Sequence, residues 1–298
     1  MGNSVSLPSY LEQQRARIDQ ELQRLTPAET EVPAVVHRAM RYSLFAGGKR
    51  IRSIFCLEAA GLISPDPGPD LDAISCSLEL VHTYSLIHDD LPALDNDDYR
   101  RGKPTNHKVF GDAMAILAGD SLLTLAFQVL AQLDAPDHTK TRLVTELSVA
   151  SGTVGGMIGG QVADLEGEGK PPGAELLETI HRAKTGALLR ASLRMGAHVA
   201  GAGDTQYAAL SSYGEHVGLA FQIVDDILDV EESSEALGKT AGKDAAQHKI
   251  TFPAVYGLET SRRMAQQECE RAHAVLAPFD GRAARLHELA DLIVQRKS

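Results

Sequence analysis

The chain has 298 residues, of which 43% are hydrophobic and 23% are charged, as in globular proteins that bury a sizeable core. Its 40 acidic residues outnumber its 29 basic residues and give a formal net charge of −11 at pH 7. This excess argues against nonspecific binding to nucleic acid and to anionic membrane surfaces, although local lysines and arginines can still bind a phosphorylated small molecule.

Helical periodicity dominates the chain, and no alternating strand pattern of convincing length interrupts it. The first predicted helix begins at Tyr10, and Pro33 lies where the first turn of the second helix would begin. In chain order, the predicted helices span 10–25, 34–45, 51–62, 71–91, 112–133, 140–152, 174–200, 205–230, 252–276 and 281–295. The breaks between them are short, so we predict an all-α fold in a single domain over residues 1–298.

The location of the protein is predicted from three features. The most apolar long segment, 113–133, carries Asp120 and several other polar residues, which favours a buried helix over a membrane span. The first eleven residues lack the basic-then-apolar pattern of a secretory signal. The three cysteines, Cys56, Cys76 and Cys269, are scattered and form no Cys-x-x-Cys pair. We therefore expect a cytoplasmic protein without a stable membrane anchor.

The first acidic segment, Asp89-Asp90-Leu91-Pro92-Ala93-Leu94-Asp95, follows an apolar stretch. Asp89 and Asp95 are six residues apart, which on an ideal helix separates their directions by about 240°. Pro92 cannot donate a helical hydrogen bond. We therefore predict a local distortion that restores an effective spacing of four residues and turns Asp89 and Asp95 toward the second acidic segment.

The second acidic segment, Asp225-Asp226-Ile227-Leu228-Asp229, follows the apolar stretch 219–224. Asp225 and Asp229 are four residues apart and share one helix face, and Gln222 lies one turn earlier on the same side. A single acidic cluster is about as often a solvated helix end, but two clusters that both follow apolar helices favour cation binding. Oxygen ligands favour Mg²⁺, which usually shares its ligand shell with substrate phosphates.

Basic residues gather in a few segments close to these carboxylates along the chain. Lys49 and Arg52 are three residues apart, which places them on one helix face, and they follow Gly48 at a predicted helix start, which is a natural anion site. His82 lies nearly two turns before Asp89 and is a candidate hydrogen-bond donor to phosphate. Each basic residue alone is more commonly a solvated surface charge, but together with the acidic segments they are typical of diphosphate clamps. The further members are Arg100, Arg101, Lys103, Lys184, Lys239, Lys243 and Lys249.

The small-residue tract 152–160 is predicted to permit close helix packing or a kink. Its glycines do not follow a strand in the dinucleotide-binding pattern, and no Walker lysine motif occurs in the chain. A nucleotide cofactor is therefore disfavoured.

Three motifs together resemble the short-chain trans-prenyltransferases of the polyprenyl synthetase family, most closely their bacterial farnesyl-diphosphate-forming members. The motifs are Asp-Asp-x-x-x-x-Asp followed by Arg-Arg-Gly-Lys-Pro-Thr, Asp-Asp-x-x-Asp preceded by Phe-Gln, and Gly-Gly-Lys-Arg-Ile-Arg. They stand in the family's order, and the resemblance runs from about residue 42 to residue 297. It implies an isoprenoid-synthase-type helical bundle around a deep central cavity, usually a homodimer, with the acidic segments facing each other across the cavity mouth.

The resemblance also implies roles for individual residues. Mg²⁺ would be bound by Asp89, Asp95 and Asp225, with Asp90, Asp226 and Asp229 as direct or water-mediated support. An allylic diphosphate would be held by Arg100, Lys184, Thr185, Gln222 and Lys239, and isopentenyl diphosphate by Gly48, Lys49, Arg52, His82, Arg101 and Lys249. The implied catalytic residues among these are Asp89, Asp90, Asp95, Arg100, Lys184, Asp225 and Lys239.

The implied reaction is a Mg²⁺-dependent head-to-tail condensation of isopentenyl diphosphate with dimethylallyl and then geranyl diphosphate, giving farnesyl diphosphate and released diphosphate. Product length would depend on the depth of the cavity below Asp89. Helical spacing favours Ser85 as the residue that faces this cavity, whereas the resemblance favours Tyr84 as its floor, and an aromatic floor implies a C15 product. The alternatives are a geranyl or geranylgeranyl diphosphate synthase and, less favoured, a noncatalytic partner subunit or a terpene cyclase.

Overall fold

The computed structural model describes residues 6–171, 173–231 and 249–296. Their regular secondary structure is helical apart from one short hairpin, which confirms the predicted all-α class. The hairpin pairs β1 (Tyr99–Arg100) with β2 (Lys103–Pro104) in antiparallel register. The helices of the described residues are α1 (Leu7–Leu25), α2 (Ala34–Leu44), α3 (Ile51–Ile63), α4 (Leu71–Asp89), α5 (Asn106–Phe110), α6 (Asp112–Ala131), α7 (Asp137–Ser151), α8 (Met157–Gly167), α9 (Ala174–His181), α10 (Ala187–Val199), α11 (Asp204–Glu231), α12 (Phe252–Tyr256), α13 (Leu258–Val275) and α14 (Ala284–Gln295).

Two predicted helices are interrupted, each for a local reason. The predicted helix 252–276 is two helices, because Gly257 has φ +78 and ends α12 before α13 begins. The Thr251 hydroxyl accepts a hydrogen bond from the Ala254 N–H and caps the start of α12. The predicted helix 174–200 contains a π-helical turn at Arg182–Gly186 between α9 and α10.

The described residues form two compact units. The first comprises residues 6–57 and 69–144, and the second comprises residues 58–68, 145–171, 173–231 and 249–296. The single domain expected over residues 1–298 stays a prediction.

In the first unit, α4 packs along α6 and also contacts α1. The buried face of α6 is built from small side chains at Ala115, Ala118 and Ala126, which lets the two helices approach closely. Gly119 completes this face: a side chain there would meet the His88 ring at 2.2 Å. The α4–α6 interface thus fixes the helix that ends at the first acidic segment.

By length and composition, α6 is also apolar enough to cross a membrane, with 39% of its apolar window buried. The prediction of a buried helix therefore holds for one face only. Ile116 and Leu117 on the outer face are 44% and 51% exposed.

In the second unit, α11 is the central helix and packs against α10 and α13. Tyr213 on α11 is fully buried, and its hydroxyl donates a 2.7 Å hydrogen bond to the Leu286 carbonyl. Ile223 and Ile227 join Leu177 and Phe252 in an apolar cluster around the second acidic segment. Each such side chain contributes roughly 2 kcal/mol on burial, so the core holds the carboxylates of α11 on a rigid element.

Candidate active site

The first acidic segment forms a closed turn after the last residue of α4. The helix ends at Asp89 and not at Leu91 as predicted, and the Asp95 N–H donates a 2.8 Å hydrogen bond to the Asp89 carbonyl. Further backbone bonds join Asn96 to Leu91 at 3.0 Å and Asp97 to Asp90 at 3.2 Å. The predicted distortion is therefore present, and it brings the backbones of Asp89 and Asp95 together at the ends of one turn. The direction of their carboxylates toward the second acidic segment stays a prediction.

Asp90 makes a buried ion pair with Arg100. Its Oδ1 accepts from Arg100 Nε at 2.7 Å and lies 2.5 Å from Arg100 Nη2, and the side chain is 5% exposed. Asp97 lies 3.6 Å from the same guanidinium. Burial raises the pKa of Asp90 to about 6, against the lowering effect of Arg100. Asp90 therefore positions Arg100, and direct metal binding by Asp90 stays a prediction.

The hairpin holds Arg101 beside the glycine pair that precedes α3. Arg101 has φ 54, and its Nη1 donates to the Gly47 carbonyl. Gly48 has φ +133, and a side chain there would lie 2.7 Å from Arg101 Nη1. The positive φ favours glycine at this position, and the missing side chain leaves room for the Arg101 guanidinium.

Lys49 lies before α3, contrary to the prediction that it shares a helix face with Arg52. Arg50 has φ 51, so the helix begins only at Ile51 and Lys49 precedes it. Lys49 and Arg52 therefore do not share a helix face, although both flank the N-terminus of α3. Arg50 itself is buried and forms ion pairs, with its Nε 2.8 Å from Asp19 Oδ1 and its Nη1 3.6 Å from Glu79 Oε2. These contacts make it a structural residue.

His82 lies among these arginines. Burial, and then the positive charges of Arg52 and Arg101, hold its pKa well below the usual range. At neutral pH the ring is therefore uncharged and offers one N–H donor. Arg52 is only 9% exposed. The first unit thus concentrates cations around a neutral histidine, as a site for an anion requires.

The candidate floor residues lie on α4 within the turn that precedes Asp89. Tyr84 is 6% exposed, and burial raises its pKa to about 12, with Asp89 as the second cause. Its ring makes an edge contact with the ring of His88 at 5.7 Å between centroids, and His88 Nε2 lies 3.0 Å from the Ile116 carbonyl of α6. Ser85 is half-buried and donates to the His82 carbonyl at 2.8 Å. Tyr84 is therefore the larger and more deeply buried of the two.

In the second unit, α11 places Asp225 and Asp226 in different surroundings. The Asp225 side chain is 43% exposed, and its Oδ1 accepts from Arg296 Nη2 at 2.5 Å. Arg296 also donates to the Phe221 carbonyl at 2.8 Å, and its guanidinium lies 4.0 Å from the Phe221 ring centroid. Arg296 therefore occupies one carboxylate oxygen of Asp225, and a metal ion that binds this oxygen must displace the guanidinium.

Asp226 points into the protein. Its Oδ2 accepts from the Phe252 N–H at 2.9 Å and lies 3.2 Å from His181 Nε2, and its side chain is 5% exposed. These contacts join α11 to α12 and to α9. Asp229 is also buried, at 5% exposure. Metal support by Asp226 and Asp229 stays a prediction, and the contacts of Asp226 are those of a structural anchor.

The π-helical turn carries Lys184 and Thr185. Lys184 Nζ donates to Asp164 Oδ2 on α8 at 2.7 Å. A side chain at Gly160 would lie 2.2 Å from the Lys184 backbone nitrogen, which confirms the close packing predicted for the small-residue tract. Such turns are frequent at functional sites because they change the direction of side chains within a helix.

The remaining predicted residues differ in how far the structure describes them. Gln222 on α11 and Lys249 are half-buried. Lys239 and Lys243 lie outside the described residues.

Sequence reasoning assigned no role to Arg296, Asp164 or His181. Arg296 and Asp225 are 71 residues apart in the chain, so no local spacing reveals their pairing. Asp164 lies at the end of the small-residue tract, but its partner Lys184 is 20 residues away. The one available signal was charge complementarity between segments, which does not select partners by itself.

Comparisons with known proteins match nearly the whole chain. The family model described as polyprenyl synthetase matches residues 33–278. The farnesyl diphosphate synthase of Geobacillus stearothermophilus is 45% identical over 295 residues, covering 98% of each chain. The geranylgeranyl diphosphate synthase of Cyanophora paradoxa is 42% identical over 298 residues, covering 99% of this chain and 98% of its own.

Solved structures match over the same extent. The geranyltransferase from Helicobacter pylori, complexed with magnesium and isoprenyl diphosphate, has a TM-score of 0.85. It is 32% identical, and the match covers 98% of both chains. The fold is therefore that of the matched proteins.

Proposed function

The chain belongs to the polyprenyl synthetase family and is a trans-prenyltransferase, and we propose that it makes farnesyl diphosphate. It condenses isopentenyl diphosphate with dimethylallyl diphosphate and then with geranyl diphosphate, releasing diphosphate each time. The observation that carries this proposal is the continuity of the closed turn Asp89–Asp95 with the arginine-bearing hairpin. Carboxylates suited to binding a metal ion and cations suited to binding phosphate thus lie on one short stretch of backbone in the first unit.

The donor set fits Mg²⁺. Asp89, Asp95 and Asp225 offer carboxylate oxygens only, and hard oxygen ligands are the preferred ligands of this ion. Asp225 already pairs with a cationic group, the guanidinium of Arg296. When bound, Mg²⁺ supplies positive charge to the oxygens of the diphosphate leaving group.

The side chains of the chain itself bind and orient the two substrates. Arg100, Lys184 and Thr185, with Gln222 and Lys239, hold the allylic diphosphate. Arg100 presents a planar donor fork that Asp90 holds in place, so little ordering is needed when the ligand binds. Gly48, Lys49, Arg52, His82 and Arg101 hold isopentenyl diphosphate, and Lys249 is a further candidate for this set.

Catalysis follows from charge stabilisation and positioning. The allylic C–O bond breaks, and its electron pair leaves with the diphosphate, whose growing negative charge the cationic side chains stabilise. The double bond of isopentenyl diphosphate then attacks the allylic carbon, and a proton is lost from the condensed product to the released diphosphate. Apolar walls around the site keep water away from the allylic cation.

We propose that Tyr84, whose aromatic side chain is buried, forms the floor of the space beneath Asp89 and limits the product to C15. A geranyl or geranylgeranyl product is the alternative, since a geranylgeranyl diphosphate synthase is similar over nearly the same length. A noncatalytic subunit is disfavoured by the two intact acidic segments. A terpene cyclase is disfavoured by Lys49, Arg52 and Arg101, because cyclases need no second diphosphate site.

We further propose that the chain is one functional domain and forms a cytoplasmic homodimer. The outer face of α6, with Ile116 and Leu117 exposed, offers an apolar surface for a second copy. The three cysteines are free thiols, as suits a reducing compartment. Light scattering on the purified protein tests the dimer, for which we expect twice the mass of the chain.

Product analysis tests the proposed activity. The protein is incubated with Mg²⁺, isopentenyl diphosphate and either dimethylallyl, geranyl or farnesyl diphosphate, and the product chain length is measured. We expect farnesyl diphosphate from the first two starters and little extension of the third. Efficient extension of farnesyl diphosphate would instead assign a geranylgeranyl product, and no condensation with any starter would contradict the proposal.

A further inference from the structure

Four potential metal ligands meet between α13 and α14, outside the residues assigned to the diphosphate and Mg²⁺ sites. Cys269 and His273 are four residues apart on α13, and His287 and Asp291 are four residues apart on α14. Each pair therefore shares one helix face, and the two helices pack together.

The ligand atoms converge on a small volume. His273 Nε2 lies 2.9 Å from Asp291 Oδ1, and Cys269 Sγ lies 3.6 Å from the same oxygen. All three ligand atoms lie within 4.8 Å of one another. In a tetrahedral zinc site, bonds of roughly 2.1 Å put neighbouring ligand atoms about 3.4 Å apart. The observed distances need only small side-chain shifts to reach that geometry.

His287 occupies the position of an outer partner. Its Nδ1 lies 2.9 Å from His273 Nδ1, on the opposite side of the His273 ring from Asp291. His287 Nδ1 can accept the His273 Nδ1–H in the tautomer that carries its own proton on Nε2. Metal-binding histidines almost always donate their second N–H to such a partner, which fixes the tautomer and the ring orientation.

A hydrogen-bonded cluster without metal is the simpler interpretation, with Cys269 and His273 both donating to Asp291. Two observations favour a metal. The set combines sulfur, nitrogen and oxygen donors, which is the donor set of borderline divalent ions. Cys269 is 3% exposed, whereas His273 and Asp291 are 32% and 49% exposed, so an ion can enter from solvent and keep one water as its fourth ligand.

We propose that Cys269, His273 and Asp291 form a binding site for a divalent transition-metal ion, Zn²⁺ above all, with His287 as the outer partner of His273. Metal binding displaces the proton of the Cys269 thiol, which is released to solvent. The bound ion would tie α14, the helix that leads to Arg296, to α13.

Cobalt absorption tests the site with the full-length, metal-free protein. Co²⁺ is titrated in a large excess of Mg²⁺, which protects the acidic segments, and thiolate-to-cobalt absorption is recorded. We expect one equivalent of Co²⁺ to produce this absorption and Zn²⁺ to abolish it by displacement. Since the acidic segments contain no cysteine, the signal is specific to a thiolate ligand.

Variants assign the ligands. Cys269→Ser should lose the absorption, and His273→Ala should lose it or bind far more weakly. His287→Ala should keep the absorption but bind Co²⁺ about 10- to 100-fold more weakly, as expected for an outer partner. His138→Ala, on the exposed start of α7, is the matched control and should bind normally. Circular dichroism verifies the fold of each variant.

No thiolate absorption in the folded wild-type protein would overturn the proposal. Absorption that persists in Cys269→Ser would also overturn it, because Cys56 or Cys76 would then be the ligand. Should Cys269→Ser fail to fold, His287→Ala decides the matter, since a site elsewhere would leave its cobalt affinity unchanged.

Discussion

At the scale of single residues, buried partners prepare the candidate site before any ligand binds. Asp90 holds the guanidinium of Arg100, and Asp164 holds the ammonium of Lys184. Each pair leaves a cation with a fixed position, whereas a long side chain in solvent would lose rotamer freedom on binding. The role proposed for Tyr84 is different: its bulk would limit the space beneath Asp89.

Tyr84→Ala should lengthen the product. The substitution removes a ring that is 6% exposed and leaves space on the side of α4 that precedes Asp89. We expect products longer than C15 when chain length is measured with geranyl diphosphate as the starter. Ser85→Ala, at the neighbouring position, is the control and should leave the C15 product dominant. An unchanged product spectrum for Tyr84→Ala would contradict its assignment as the floor.

Arg296→Gln should lower the Mg²⁺ concentration needed for half-maximal activity. Arg296 pairs with Asp225 Oδ1, and this pair must open before that oxygen can bind a metal ion. A partly exposed pair is worth up to about 1 kcal/mol, so we expect a decrease of about two- to fivefold. Direct Mg²⁺ titration provides a second measurement. Arg271→Gln, which removes an exposed guanidinium from its pair with the buried Glu268, should have no effect; the prediction is wrong if both variants respond equally.

Glu58→Gln should change how stability depends on pH. Burial raises the pKa of Glu58 to about 7, with Arg285 opposing and Glu288 adding to the shift. In the unfolded chain, Glu58 loses its proton near the ordinary pKa of glutamate. In the native chain, it keeps that proton up to about pH 7. The stability from protonated Glu58 is therefore complete at low pH and is lost as the pH rises through about 7.

Urea unfolding at pH 5 and pH 8 measures this effect. From pH 5 to pH 8, the wild type should lose up to about 3 kcal/mol more in free energy of unfolding than Glu58→Gln loses. Glu12→Gln, on the exposed face of α1, controls for loss of a surface charge. Parallel pH profiles for Glu58→Gln and the wild type would refute the raised pKa.

At the scale of elements, long periodic helices were predictable and short irregular ones were not. The boundaries of α1 and α11 lie within a few residues of prediction because one apolar face dominates each helix. The departure from helix after Asp89 was also predictable, since the six-residue spacing and Pro92 conflict with a regular helix. The π-helical turn and α8 were missed, because small residues carry no periodic signal and their geometry depends on packing between distant segments.

Gly160→Ala should destabilise the packing of α8 against the π-helical turn. The added carbon would lie 2.2 Å from the Lys184 nitrogen and 2.6 Å from its Cα, so the backbone must move. We expect a loss of about 1–3 kcal/mol in urea unfolding and a lower kcat/KM, because Lys184 shifts with the turn. Gly61→Ala, which meets no atom within 4 Å inside α3, should be neutral or slightly stabilising. Equal stabilities for the two variants would argue against this close approach.

At the scale of the whole molecule, each compact unit contains one acidic segment and its own group of cations. The first unit has the closed turn, the hairpin and the arginines around His82. The second unit has α11, Arg296 and the π-helical turn with Lys184. Both acidic segments were recognisable from the composition of the sequence. The proposal that they act together on one diphosphate group concerns function and requires a functional test.

The rate of condensation in single-carboxylate variants tests this central claim most directly. The kcat of Asp89→Asn and of Asp225→Asn is measured at saturating Mg²⁺, isopentenyl diphosphate and geranyl diphosphate. Asp98→Asn serves as the control, since Asp98 is 59% exposed and pairs with Lys108 at 2.9 Å. We predict that each of the first two variants loses at least about 100-fold in kcat, while the control retains wild-type activity. Wild-type kcat in either Asp89→Asn or Asp225→Asn would contradict the claim that both acidic segments serve one Mg²⁺-dependent reaction.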